Sequence, residues 1–142
     1  MNKPYIVFIE GQDRVGKTSL IRPLFEARDK IDNIIDRGPL SNYVYSKLYN
    51  RPVYLELYLL SYLVSDYIII YLDLDINEIK RRTIETNDFG VKLEDIELHK
   101  KLFDEAYEKF RTYDNNRIFK IDCNNKTIEQ IVNEIKNILN SL

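Results

Sequence analysis

One octapeptide limits the possible folds of this chain more than any other feature: Gly11-Gln-Asp-Arg-Val-Gly-Lys-Thr18. It has the spacing GxxxxGK[ST]. An apolar run, Tyr5 to Glu10, precedes it, and an amphipathic segment from about Lys17 to Arg28 follows, with Leu20, Ile21, Leu24 and Phe25 on one face. The pattern predicts a buried parallel strand, a tight loop and a helix. Glycines let such a loop turn sharply and aim successive N–H groups inward. The helix N-terminus adds the positive end of its dipole. Phosphate groups are the natural occupant. Lys17 is expected to reach the β- and γ-phosphates of a nucleoside triphosphate, and the Thr18 hydroxyl to coordinate Mg²⁺. Gln12, Asp13, Arg14, Val15, Gly16 and Ser19 complete the cradle.

The rest of the chain supplies what this loop needs around it. Asn33–Asp36, Tyr67–Asp73 and Arg117–Asp122 read as further strands. Helical patterns run through Ser41–Tyr49, Val53–Val64, Asn77–Thr86 and Glu94–Tyr113, and Thr127-Ile-Glu-Gln130 is a capping box opening a last helix. Strands alternating with helices imply a parallel sheet covered on both faces, with ligands outside the carboxyl ends of the strands. At 142 residues the chain suits a single α/β domain, 1–142.

Several function classes are disfavoured. A net charge of -2 gives no global pull toward nucleic acid or membrane, so nucleic acid is an admissible but not a favoured partner. One cysteine, Cys123, excludes an internal disulfide framework and is expected to pack beside the last strand. The N-terminal apolar run is too short for a signal peptide. Val53–Leu72 has only Glu56 and Asp66 charged and is long enough to span a bilayer. Its change from Leu/Tyr-rich to β-branched favours a buried helix followed by a buried strand instead. A cytoplasmic location, of a cell or a host cell, is the expectation. A guanine-reading Asn-Lys-x-Asp is missing, since Asn125-Lys-Thr-Ile128 lacks the acid, and Asp88-Phe-Gly90 has none of its protein-kinase companions.

Three strings together resemble the thymidylate kinases. They are Phe8-Ile-Glu-Gly-Gln-Asp-Arg-Val-Gly-Lys-Thr18, then Asp36-Arg-Gly-Pro-Leu-Ser-Asn-Tyr-Val-Tyr45, then Tyr71-Leu-Asp-Leu-Asp75 with Lys80-Arg-Arg82. The resemblance implies a three-layer α/β/α P-loop NTPase fold with about four parallel strands in the order 2-1-3-4. It implies that Asp13 bonds the acceptor sugar or orients Arg14, and that Arg14 stabilises charge on the transferring phosphoryl group. Arg37 would grip the acceptor's phosphate, with Asp36, Ser41 and Tyr45 beside it. Arg82, with Arg81, would close over ATP from a lid, and the loop Cys123–Thr127 would lie near the adenine. His99 is expected to serve packing.

The chain departs from that family in being short. Only Asp29–Asp32 separate the first helix from the strand at Asn33, where the family has a further strand and helices that bind the acceptor. Thr86 and Asn87 stand where a second lid arginine would be. An abundance of Ile, Asn, Lys and Tyr, with A/T-rich codons, suits a compact viral or phage gene. The leading expectation is an ATP- and Mg²⁺-dependent kinase of a deoxynucleoside monophosphate, thymidylate foremost. Its alternatives are a deoxynucleoside or DNA kinase of the same fold, and a nucleotide-binding regulatory module without transfer activity. The apolar Tyr/Leu helix at Val53–Val64 makes a homodimer a reasonable partner expectation.

Overall fold

A computed structural model describes residues 5–12, 16–25, 31–51, 66–86 and 92–142. Within them the strands are β1 (Tyr5–Glu10), β2 (Ile31–Asp36), β3 (Tyr67–Asp73) and β4 (Ile118–Asp122). The helices are α1 (Lys17–Leu24), α2 (Pro39–Leu48), α3 (Ile76–Glu85), α4 (Ile96–Tyr113) and α5 (Ile128–Ser141). The expected helix Val53–Val64, the polar segment Asn87–Val91 and the end of the first helix lie outside the described residues. Among the described residues, no helix is long and apolar enough to cross a membrane.

The sheet has four strands in the order β2-β1-β3-β4, all parallel. This is the predicted order. Ile9 pairs with Asp36 on one side and with Ile70 on the other, and Leu72 pairs with Ile121. Alternation along each strand divides the core. Val7, Ile9, Ile68, Ile70 and Ile121 face α1 and α5, together with Leu20, Leu24, Ile135 and Leu139. Phe8, Ile69, Tyr71 and Ile118 face α2 and α4, against Leu40, Val44, Phe103 and Phe110. Burial on both faces explains why β1 and β3 read as unbroken apolar runs rather than alternating ones.

Element boundaries differ from the sequence reading where local chemistry is permissive. β2 starts at Ile31, not Asn33, because Ile31 pairs with Tyr5. α2 starts at Pro39, not Ser41. Gly38-Pro39 breaks a strand, but proline at the first helical position gives up an N–H that has no partner there anyway. The first turn expected of α4 is instead a 3₁₀ turn, Leu93–Asp95. The capping box of α5 forms as expected: Thr127 Oγ1 accepts from Gln130 N at 3.2 Å, and Thr127 N donates to Gln130 Oε1 at 2.8 Å. Thr127→Ala is expected to cost about 1 kcal/mol and to lower the thermal midpoint by about 3 °C, read by calorimetry.

Candidate active site

The segment expected to cradle phosphate, Gly11 to Thr18, starts at the carboxyl end of β1. Gly16 caps α1 with φ 102°, a left-handed conformation that L side chains rarely adopt. The first turn of α1 carries no acidic residue, so its N–H groups and dipole keep their attraction for anions. Lys17 is 7 % exposed, and its Nζ donates to the carbonyls of Gly11 at 2.6 Å and Gln12 at 2.9 Å. The ammonium is thus held across the loop that it is expected to serve. Thr18 and Ser19 are exposed on the first turn of α1. Gln12 is buried and its Nε2 donates to the Ile96 carbonyl at 2.9 Å, fixing the loop to the start of α4. Asp13, Arg14 and Val15 lie outside the described residues.

The neighbouring strand ends in the second motif. Asp36 and Arg37 are exposed at the carboxyl end of β2. Arg37 has φ 69°, unusual for a residue with a side chain. Its N–H donates to the Ile9 carbonyl at 3.1 Å, and its guanidinium lies 5.7 Å from the centre of the Tyr45 ring. Tyr45 stacks on Tyr49 and meets His99 edge-on at 6.4 Å. His99 is half-buried on α4, packing against the expected acceptor side. Gly38 follows Arg37 because nothing larger fits. A Cβ there would stand 2.3 Å from the Phe8 ring.

Ser41 is placed differently from expectation. It is 3 % exposed and its hydroxyl donates to Glu10 Oε1 at 2.7 Å, so its side chain is enclosed rather than presented to an acceptor. Glu10 is the residue that sequence reasoning passed over. It ends β1 with 0 % exposure, accepting also from Gly38 N at 2.6 Å and Ser41 N at 3.0 Å. Burial raises its carboxyl pKa, opposed by the hydrogen bonds from Gly38 and Ser41. One signal was available: an acid closing an otherwise apolar, doubly covered strand must find partners or pay several kcal/mol.

A cavity of about 840 Å³ opens between the start of α3 and the loop after β4, with Asp75, Arg81, Arg82, Asn124 and Lys126 in its wall. Its size is that of an ordinary small-molecule site. The loop Cys123–Thr127, expected near the adenine, forms one side of it. Gly16 ties the two regions together, since a Cβ on it would lie 4.0 Å from Ile128 Cδ1 at the head of α5. Glu78 gathers both candidate lid arginines. Arg81 bonds it at 2.7 and 2.9 Å and Arg82 at 3.1 Å. Those bonds, first from Arg81 and then from Arg82, draw the Glu78 pKa down to about 2. Cys123 is buried, as expected, and burial pushes its thiol up to about 11, which makes it a poor nucleophile.

A second polar group stands at the end of β3. Lys100 on α4 bonds Asp73, Asp104 at 2.8 Å and the Tyr71 hydroxyl at 3.4 Å, while Tyr71 donates to Asp104 at 2.7 Å. The two carboxylates outweigh burial and raise the Lys100 pKa. This group was not foreseen, because its members lie far apart in the chain.

The parallel sheet ordered β2-β1-β3-β4, with helices on both faces, has counterparts among solved structures. The YorR protein of Bacillus subtilis, in complex with phosphorylated GDP, matches with a TM-score of 0.74 at 18% identity, covering 95% of each chain. This is the fold of the P-loop nucleotide kinases. Deoxyadenosine kinase from M. mycoides, with dCMP and dCDP bound, matches at 0.61 and 19% identity, over 96% of this chain and 100% of that one. Thymidylate kinase from Candida albicans matches at 0.65 and 16%, over 98% and 92%. No family model matches the sequence, and no curated protein does. The P-loop kinase fold accounts for the three layers, with α1 and α5 on one face and α2 and α4 on the other.

Proposed function

We propose that the chain is an ATP-dependent phosphotransferase that adds the γ-phosphoryl group to a deoxynucleoside monophosphate, thymidylate foremost. One observation carries the reading. Lys17 in the cradle after β1 and Arg37 at the end of the adjacent β2 lie on the same edge of the sheet, with the Ile9 carbonyl bonded to Arg37 N. A donor phosphate and an acceptor phosphate would therefore each meet a cation. Phosphoryl transfer asks little covalent chemistry of a protein and much positioning and cationic stabilisation. ATP would seat its phosphates on the N–H groups of residues 16–19 and its base in the cavity beside Asn124 and Lys126. Lys17 would leave the Gly11 and Gln12 carbonyls for the β- and γ-phosphates. Asp13 and Arg14 keep the roles implied by the resemblance: the first at the acceptor, the second on the transferring group. Arg82, with Arg81, would close over the donor, and Asp36 and Tyr45 would frame the acceptor with Arg37.

Magnesium fits the donor set present. The exposed Thr18 hydroxyl is a hard oxygen ligand one residue from Lys17, and with the nucleotide's phosphates it would hold the ion. When bound, the ion supplies neutralisation of charge between the β- and γ-phosphates. ATP as the donor implies action in the cytoplasm of the cell or host cell. A homodimer remains part of the proposal.

A nucleoside acceptor is the second reading, favoured by the likeness to a deoxyadenosine kinase over 96% of this chain. The deciding experiment is ADP release with Mg²⁺-ATP against the four deoxynucleoside monophosphates, the matching nucleosides and a short DNA. Turnover of monophosphates supports the leading reading. Turnover of nucleosides or DNA alone replaces the substrate. ATP binding without turnover of anything would favour the regulatory module. Under the leading reading, Arg37→Ala raises the acceptor KM or lowers kcat more than tenfold, from the loss of a charge-assisted pair. Unchanged acceptor kinetics would remove Arg37 from the site.

A further inference from the structure

Glu10 is a carboxylate with no exposed surface whose hydrogen-bond partners include the backbone N–H groups of Gly38 and Ser41 and the Ser41 hydroxyl. No cation pairs with it among the described residues. It sits at the N-terminus of α2, where the helix dipole favours a negative charge. Its partners follow Arg37 directly: Gly38 N lies one residue on and Ser41 four residues on. The peptide before Arg37 is held by the same strand, since Arg37 N donates to the carbonyl of Ile9. Two consecutive residues of β1 thus bracket the Arg37 backbone from both sides. Arg37 is in the left-handed region at φ 69°, a conformation that persists only where its surroundings impose it. The bracket flanks that conformation directly, and the guanidinium lies over the face of Tyr45.

We infer that Glu10 is the positioning residue for Arg37. Its buried carboxylate locks the turn Arg37-Gly38 and so holds the acceptor-side guanidinium in register with the phosphate cradle, which begins at the next residue, Gly11. The inference rests on the kinase reading only for the meaning of that register; the lock itself is a property of the fold. Glu10 has no exposed surface, and its carboxylate oxygens are taken up by the turn that follows Arg37.

Two measurements test it. The first is amide hydrogen exchange of Glu10→Gln, which keeps the shape but offers one acceptor oxygen in place of two. The Arg37 amide, bonded to Ile9 and not to Glu10, is expected to exchange at least tenfold faster, while Ile70 in the middle of β3 is unchanged. Unchanged exchange at Arg37, or equal acceleration at Ile70, would overturn the proposal. If Glu10→Gln does not fold, Ser41→Ala removes a single hydroxyl donor and must show the same selectivity at about threefold. The second is a double-mutant cycle with the acceptor found by the panel. Glu10→Gln is expected to raise the acceptor KM at least tenfold and the ATP KM less than twofold. In the Arg37→Ala background it adds less than twofold. Full additivity, or an equal rise in the ATP KM, would sink the positioning role. Should the chain turn over no acceptor, the kinase reading fails alone, and the exchange measurement still decides whether Glu10 sets Arg37.

Discussion

Lys17→Ala is expected, under the proposed kinase function, to lower kcat/KM for ATP by roughly 10²–10³-fold, the scale of removing one preorganised group from a charge-developing transition state. The ammonium is the cationic side chain that the cradle encloses among the described residues, 7 % exposed and held on the Gly11 and Gln12 carbonyls. Those carbonyls hold it over the loop, and a move from them to phosphate oxygens, as proposed, would exchange neutral acceptors for charged ones. Lys17→Arg is expected to recover little, because a planar, wider guanidinium does not fit where a compact point charge is enclosed. Steady-state kinetics with a thermal melt on the same sample separate the effect from misfolding. A melt that falls in step with activity, or an activity loss below about fivefold, would argue against a direct role for Lys17.

Phe103→Ala is expected to cost about 3–5 kcal/mol of stability, as truncation of a large buried aromatic does. Phe103 is 1 % exposed on α4 and stacks on Tyr71 with ring centres 6.1 Å apart. It joins α4 to the face of the sheet that also carries Tyr67, Ile69 and Ile118. Such a loss would lower the thermal midpoint by about 10 °C. Urea denaturation followed by circular dichroism measures it; a loss under about 1 kcal/mol would mean that α4 contributes little to the fold. The loop that opens at Gly11 is expected to suffer with it, since Gln12 is anchored on the Ile96 carbonyl at the head of the same helix.

What the sequence made legible was what local pattern encodes. Tyr67–Asp73 was read to the residue because β-branched and aromatic side chains fill a strand covered on both faces. The capping box at Thr127 was visible because its two bonds join residues three apart. The strand order came from the resemblance to thymidylate kinases rather than from any pattern within the chain, and the sheet has it. Glu10 and the Lys100 group stayed hidden for the opposite reason. Their partners, Gly38 and Ser41 in one case and Asp73 in the other, are brought near only by the folded sheet. Ser41 shows the limit of carrying a motif across: its position matches, yet its hydroxyl is turned inward onto Glu10. Of the expected site, Asp13 and Arg14 lie outside the described residues, and Lys17, Thr18, Asp36 and Arg37 are gathered on one edge.

The order of the strands also sets a timetable for synthesis. β1 is the first strand to leave the ribosome, yet it lies between β2 and β3. Ile6 pairs with Asn33 and waits for Tyr67. Gly16 reaches its neighbour Ile128 only when the last helix has been made. The GxxxxGK[ST] loop therefore precedes in the chain two strands and a helix that come to lie around it. Non-local parallel pairing of this kind folds slowly and leaves apolar strands exposed meanwhile. A nascent chain stopped anywhere before β3 would carry the whole GxxxxGK[ST] signature with no β3 to flank its strand, so the motif alone does not make the folded loop.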